Sequence, residues 1–121
     1  MNIFILEDST ERMEWFRSVF SDCNIHHTKI VKVAEDSLRK NHYDLIFLDR
    51  DLGDDEACGE ELTKVMMEEK LCLDTCIVIH TINPWGKYKM REHLQRYHKN
   101  FYEIEFTELV KKSREDFRLS S

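Results

Sequence analysis

The fold is decided by one short stretch of the chain, Tyr43-Asp44-Leu45-Ile46-Phe47-Leu48-Asp49. Its centre is apolar without interruption, whereas a strand with one face in water would alternate apolar and polar side chains. The stretch therefore predicts a strand over residues 44–48 that is buried on both faces. The apolar run stops abruptly at Asp49, so this strand places a carboxylate at its carboxyl end.

Two other apolar runs have the same character. Residues 2–6, Asn-Ile-Phe-Ile-Leu, stop at Glu7-Asp8, and residues 75–79, Thr-Cys-Ile-Val-Ile, stop at His80. A fourth strand is predicted over residues 27–33. Residues 101–106 alternate between the two faces of a strand, with Tyr102, Ile104 and Phe106 on one face and Phe101, Glu103 and Glu105 on the other. This pattern is typical of a half-exposed edge strand.

Amphipathic segments separate these strands and predict helices. Asp8 or Ser9 caps the first helix, residues 35–41 form a short second one, and a third follows a loop over residues 50–55. Asn83-Pro84 begins the fourth helix, and residues 108–117 form the last. The apolar faces predicted to be buried are Met13, Phe16, Val19 and Phe20 in the first helix, Leu62, Val65 and Met66 in the third, and Met90, Leu94 and Tyr97 in the fourth.

Strands that alternate with helices, with several strands apolar throughout, predict an α/β fold in which helices cover both faces of a parallel sheet. The length predicts a single doubly wound domain over residues 1–121. Ligands of such sheets bind beyond the carboxyl ends of the strands. The candidate site residues are therefore Glu7 and Asp8, residues 49–51, and residues 80–83.

Composition narrows the classes of partner. The net charge of −6, from 24 acidic and 18 basic residues, argues against nonspecific binding to nucleic acid or to an anionic membrane. The three glycines form no G-x-G-x-x-G or P-loop pattern, which excludes a glycine-rich nucleotide loop. Neither a membrane span nor a signal peptide is predicted, and the four cysteines form no C-x-x-C pair. We expect a cytoplasmic protein whose partners are proteins, small molecules or cations.

Acidic side chains follow two of the predicted strands. If the first and third strands are neighbours, Glu7, Asp8 and Asp49 converge, and like charges at short range raise one another's pKa unless a cation compensates them. Mg²⁺ fits best because all of these ligands are oxygens. The alternative is that Asp8 only caps a helix and Asp49 is only a solvated loop residue.

Three segments resemble the signature strands of response-regulator receiver (CheY-like) domains: Phe4-Ile-Leu-Glu-Asp-Ser9, Tyr43-Asp-Leu-Ile-Phe-Leu-Asp49 and Ile77-Val-Ile-His-Thr81. The resemblance implies a flavodoxin-like fold with strand order 2-1-3-4-5. It further implies that Asp49 accepts a phosphoryl group and that Thr81 hydrogen-bonds that group. Mg²⁺ would then be held by Asp8, Asp49 and the backbone carbonyl of Asp51, with Glu7 acting through water.

One position departs from that pattern. Receivers carry a lysine at the end of the fifth strand, whereas the corresponding stretch here is Ile104-Glu-Phe-Thr-Glu108. Phosphoryl transfer depends on positive charge around the phosphate oxygens, so another cation is needed beside Mg²⁺. Arg50 and Lys87 are the candidates by position in the sequence, although each is also a common kind of surface residue.

A second resemblance is narrower. The stretches Leu48-Asp-Arg-Asp-Leu-Gly53 and His80-Thr-Ile-Asn83 are similar to L-D-H-D-L-G and H-S-x-N in cyclic-phosphate-processing receiver-like domains. Arg50 replaces the histidine of that family, and Thr81 replaces its serine. The resemblance implies that the same Mg²⁺ site activates a water or holds a cyclic phosphate, with His80 as general acid. A histidine at the end of a buried strand is equally often a packing residue.

Three functions follow as hypotheses. The leading one is a stand-alone receiver-like domain with Asp49 as phosphoacceptor, acting on a phosphorylated protein partner or a small phosphate compound. The second is a metal-dependent hydrolase of cyclic phosphates that uses the same carboxylates with His80, Thr81 and Asn83. The third is a pseudo-receiver that docks to a protein without phosphorylation, which the missing lysine favours.

Overall fold

Strands and helices alternate in a computed structural model of the chain, which describes residues 1–52 and 58–117. The strands are β1 (Asn2–Leu6), β2 (Asn24–Thr28), β3 (Leu45–Leu48), β4 (Cys76–Ile79) and β5 (Phe101–Glu103). They form one sheet in the order β2-β1-β3-β4-β5, and every neighbouring pair is parallel. The predicted doubly wound, flavodoxin-like α/β fold is confirmed. Residues 53–55 of the predicted loop, including Gly53 of the second motif, lie outside the described residues.

The helices are α1 (Thr10–Val19), α2 (Val31–Lys40), α3 (Gly59–Glu68), α4 (Pro84–Leu94) and α5 (Phe106–Leu109), and a 3-10 turn follows over Arg114–Phe117. Two helix starts agree with the caps predicted from sequence. The Ser9 side chain accepts a hydrogen bond from the backbone N–H of Arg12, and the Asn83 side chain accepts from two backbone N–H groups in the first turn of α4. No helix of the described residues is long and apolar enough to cross a membrane.

The core has two layers, one on each face of the sheet. Successive side chains of a strand point to opposite faces, so Phe4 and Leu6 of β1 pack with α2, α3 and α4, whereas Ile3 and Ile5 pack with α1 and Phe117. All four of these β1 side chains are almost fully buried. This burial on both faces is the reason that the strand is apolar throughout.

The second strand and second helix differ from the prediction. The strand predicted over residues 27–33 is wrong, because β2 ends at Thr28 and Val31 begins α2. The β-branched residues near this boundary resembled a strand, yet Val31 is buried on the core side of α2 while Ile30 and Val33 are largely exposed. Helix α2 correspondingly starts earlier than residue 35.

The end of the chain also differs. The helix predicted over residues 108–117 is wrong: α5 ends at Leu109, and the strand predicted to reach residue 106 ends at Glu103. The backbone N–H of Ser113 donates to the Asp116 carboxylate at 2.7 Å, and such a local side-chain contact competes with helical hydrogen bonding. Tyr97, predicted to be buried on the fourth helix, lies beyond the end of α4 and is 41% exposed.

Candidate functional site

Backbone hydrogen bonds continue past the strand ends and place three polar residues side by side. The N–H of Glu7 donates to Thr28, that of Asp49 donates to Leu6, and that of His80 donates to Leu48, at 3.0–3.1 Å between nitrogen and oxygen. The residues that follow β1, β3 and β4 therefore remain in register with the sheet. Convergence at the carboxyl edge, expected from the sequence, follows from this ladder.

Glu7 is fully buried beneath this edge. One carboxylate oxygen, Oε2, accepts hydrogen bonds from the backbone N–H groups of Asp8 and Ser9 at 3.0 and 3.1 Å. The other oxygen, Oε1, lies 2.8 Å from Nε2 of His80, which donates to it. Burial raises the pKa of Glu7, but the hydrogen bond and charge of His80, with the Ser9 N–H and the charge of Arg12, together outweigh it and lower that pKa to about 2. Glu7 is thus a buried, fully hydrogen-bonded carboxylate.

His80, the residue that follows β4, is also fully buried. Its ring packs among Phe16, Phe47 and Phe106, with centroid separations of 5.5, 6.4 and 6.2 Å. Its Nδ1 has no hydrogen-bond partner among the described residues. Among the described residues, the hydrogen bond to Glu7 is therefore the one polar contact of the His80 ring.

Asp49 is buried next to Glu7 but turns one oxygen toward a cation. Oδ1 accepts from the backbone N–H of Arg50 at 2.8 Å, and Oδ2 lies 3.4 Å from a guanidinium nitrogen of Arg12. Burial, with the negative charge of Glu7, raises the pKa of Asp49 to about 6, although His80 and Arg12 act in the opposite direction. Oxygens of the two buried carboxylates, Glu7 and Asp49, lie within 4.8 Å of each other, so the pair favours the binding of additional positive charge.

An open cavity of about 370 Å³ lies above these residues. Four residues predicted for the site meet in its wall, since Asp8, Asp49, Asp51 and Thr81 all line it. Burial and the neighbouring Glu7 raise the pKa of Asp8, which is otherwise exposed. The Thr81 oxygen accepts from the backbone N–H of residue 83 at 3.2 Å, so its hydroxyl proton is free to point toward a ligand.

Two sets of side chains have the chemistry to hold a metal ion. Glu7, Asp49 and His80 bring one ligand atom each to within 4.8 Å of one another. A cation on that inner set would replace the hydrogen bond between Glu7 and His80. The cavity wall offers an outer set of oxygens from Asp8, Asp49 and Asp51, which suits a hard cation better than a set containing imidazole.

Arg12 is a site residue that the sequence interpretation missed. Its guanidinium lies 3.5 Å from Glu7 and 3.4 Å from Asp49, and its side chain lines the cavity. A signal was present in the sequence, because Arg12 lies in the first turn of the helix that directly follows the acidic end of the first strand. A basic residue in the first turn after an acidic strand end is a candidate for the same site.

The two cations considered from the sequence are engaged elsewhere. Arg50 pairs with Asp51 at 2.8 Å and with Glu60 at 3.0 Å. Lys87 pairs with Glu105 at 2.9 Å, and Glu105 lies in the stretch of residues 104–108 in which the receiver pattern led us to expect a lysine. In the described part of the chain, neither Arg50 nor Lys87 forms an ion pair with Asp49.

A larger cavity of about 560 Å³ lies at the opposite edge of the sheet, between the amino ends of β3, β4 and β5 and the last turn of the chain. Asp44, Asp74 and Asn100 line it, and none of the predicted site residues does. Because ligands of parallel sheets bind at the carboxyl edge, the smaller cavity is the better candidate.

The model of one protein family, described as the cyclic-phosphate processing receiver domain, matches residues 2–96. No curated protein has a matching sequence. Among solved structures, the phosphorylated cyanobacterial phytochrome response regulator RcpA is 18% identical, with a TM-score of 0.72 over 95% of this chain and 86% of that one. The Mn²⁺-bound response regulator Rcp1 is 20% identical, with a TM-score of 0.69 over 91% and 86%.

Thermotoga maritima response regulator TrrA in complex with Mg²⁺-BeF is 19% identical, with a TM-score of 0.63 over 91% of this chain and 96% of that one. At such identities, the likeness to these three structures shows a common fold and nothing finer. The resemblance to CheY-like receivers, expected from three short segments, therefore extends to the arrangement of the whole sheet.

Proposed function

The chain belongs to the cyclic-phosphate processing receiver domain family, and on that premise we propose that it binds Mg²⁺ at the carboxyl edge of its sheet and hydrolyses a cyclic phosphate there. One observation carries the proposal: three carboxylates, the Arg12 guanidinium and the Thr81 hydroxyl line one cavity of about 370 Å³ at that edge. This wall offers oxygens to a hard cation and hydrogen-bond donors to a phosphate.

The carboxylates have two roles in this proposal. Asp8 and Asp49, with the backbone carbonyl of Asp51, are the ligands of the cation. When bound, such a cation supplies positive charge to the phosphate oxygens and activates a water molecule. Glu7 lies beneath the cavity wall, where its negative charge adds to the attraction for the cation. Its carboxylate oxygens remain hydrogen-bonded to the backbone N–H of Asp8 and to His80 and do not ligate the cation.

Thr81 and His80 act differently from one another. The Thr81 hydroxyl lines the cavity, so it donates a hydrogen bond to a phosphate oxygen. His80 is fully buried and donates to Glu7, so we assign it the positioning of that carboxylate rather than direct proton transfer to a ligand. The Asn83 side chain caps α4 and thereby fixes the segment that carries Thr81.

A second candidate is phosphotransfer signalling with Asp49 as phosphoacceptor. One observation favours it, because Oδ2 of Asp49 is directed toward Arg12 at the cavity wall, where a phosphoryl group would meet a cation. One observation opposes it: the stretch of residues 104–108 contains no lysine, and its Glu105 pairs with Lys87. The complex of TrrA with Mg²⁺-BeF makes beryllofluoride a suitable probe of this candidate.

The two candidates are separated by supplying Mg²⁺ with 2′,3′-cyclic AMP and, in a second experiment, with acetyl phosphate. We expect turnover of the cyclic phosphate that is lost in Asp49→Ala and retained in the matched control Asp74→Asn, an exposed carboxylate at the opposite edge. A gain of one phosphoryl mass from acetyl phosphate, without turnover, would favour the phosphoacceptor. Absence of Mg²⁺ binding in calorimetry would refute both and leave a docking module.

A further inference from the structure

The cavity wall contains one basic side chain, Arg12, among the described residues that line it. We propose that Arg12 is the residue that binds the phosphate oxygens of the ligand in this cavity. The proposal rests on the proposed function, since it requires that a phosphate compound occupies the site. The sequence patterns had indicated no phosphate-binding residue on α1, the helix that carries Arg12.

The guanidinium is held loosely by its present partners. Its distances to Asp49 and Glu7 are 3.4 and 3.5 Å, whereas charge-assisted hydrogen bonds are typically about 2.7–2.9 Å long. A tight pair in the same protein shows the difference, because Arg39 contacts both oxygens of Glu69 at 2.6 and 2.8 Å. Arg12 therefore retains donors for a further anion.

An aromatic ring also contacts the Arg12 guanidinium. Its guanidinium carbon lies 5.1 Å from the ring centroid of Phe106, within the range of a cation–π interaction. Phe106 begins α5 shortly after the end of β5, so the guanidinium lies between the carboxylates and the end of that strand. The backbone N–H of Arg12 is held by the Ser9 cap, which ties its base to the first turn of α1.

Partial exposure is consistent with this role. The Arg12 side chain is 26% exposed, whereas the side chains of its carboxylate partners Glu7 and Asp49 are 0% and 4% exposed. A guanidinium has five N–H donors in a planar fork that fits two oxygens of a phosphate. Both carboxylates are contacted by the same guanidinium nitrogen, Nη1, so Nε and Nη2 form no ion pair with a described residue and are available to a ligand.

Cation binding and phosphate binding are linked through this residue. A cation on Asp8 and Asp49 neutralises charge that otherwise attracts Arg12, so the guanidinium is released toward the phosphate. Without the cation, phosphate would meet the negative charge of the same carboxylates. We therefore expect phosphate binding to require Mg²⁺, and Mg²⁺ binding not to require Arg12.

The test measures the two affinities separately by calorimetry in Arg12→Gln, Arg12→Lys and the matched control Arg17→Gln, an exposed basic residue on the same helix. Mg²⁺ is titrated alone. The affinity for 2′,3′-cyclic AMP at saturating Mg²⁺ is then taken from the concentration dependence of its turnover heat, or from the binding heat where a variant does not turn it over. We expect Arg12→Gln to weaken binding of the nucleotide by about 10- to 150-fold, the range for a lost hydrogen bond to a charged group, with Mg²⁺ binding unchanged or tighter. Arg12→Lys should recover part of the loss, and Arg17→Gln should match the wild type.

Two results would overturn the assignment. One is nucleotide affinity in Arg12→Gln within twofold of the wild type while Mg²⁺ remains bound. The other is an equal loss of Mg²⁺ and nucleotide binding in both Arg12 variants, which would make Arg12 a structural support of the carboxylates. Wild-type protein that binds Mg²⁺ but no nucleotide would instead refute the proposed function, and this proposal with it.

Discussion

Asp49→Asn should make the metal-free protein more stable at pH 8 and leave its stability nearly unchanged at pH 3. Burial and the charge of Glu7 raise the pKa of Asp49 from 3.8 to about 6 in the folded state. An acid with a raised folded pKa costs stability when it ionises. That cost is absent below the unfolded pKa, grows as the pH rises, and is complete above the folded pKa.

The size of the effect follows from the shift. A difference of about two pKa units corresponds to about 3 kcal/mol, at about 1.4 kcal/mol per unit. Asparagine removes the charge but keeps an oxygen that accepts from the backbone N–H of Arg50. The attraction between Arg12 and the ionised carboxylate is already contained in the pKa of about 6, so it is not subtracted a second time. We therefore expect a gain of up to about 3 kcal/mol at pH 8.

The assay is urea unfolding in the presence of a chelator at both pH values, with Asp74→Asn as the control for an exposed carboxylate. Millimolar Mg²⁺ should then stabilise the wild type and not the variant, since a ligand of the folded state adds stability by mass action. The reasoning would be refuted if Asp49→Asn were no more stable than the wild type at pH 8. It would also be refuted by an equal gain at pH 3, where the acid that asparagine replaces is protonated in both the folded and the unfolded state.

The remaining predictions concern the supports of the site. His80→Ala should lower the free energy of unfolding in urea by about 3–5 kcal/mol, because it leaves the buried Glu7 carboxylate without the hydrogen bond from His80. Adding Glu7→Gln to that variant should recover part of the loss. Purely additive losses in the double variant would contradict this argument. Gly59→Ala should lower the melting temperature and weaken Mg²⁺ binding in calorimetry, because its Cβ would lie 2.1 Å from the backbone oxygen of Asp49. Gly86→Ala is the matched control, since its Cβ would meet only a flexible side chain, and an equal effect of both would contradict the argument.

The interior of the sheet could be predicted because its cause is local. A strand buried on both faces must be apolar at every position, and β1, β3 and β4 carry that signature directly. The edges could not be predicted as well. Strand β2 has a sheet partner on one side only and is half polar, while the apolar residues just after it belong to α2. A contact between Ser113 and Asp116 favoured a turn over a last helix.

By itself, the sequence determined that acidic and hydroxyl side chains stand at the carboxyl edge. Asp8, Asp49, Asp51 and Thr81 lie within three residues of the ends of buried strands, so the parallel arrangement brings them to one cavity. Membership of the receiver family is likewise carried by these local motifs.

Only the tertiary structure decided which charged groups face the cavity and which support it from below. His80 follows a strand just as Asp49 does, yet the aromatic core encloses its ring and turns it to Glu7. Arg12, rather than Arg50 or Lys87, supplies the cation at the cavity wall. The physical reason is that a long charged side chain takes its position from ion pairs with distant elements, which no local spacing in the sequence specifies.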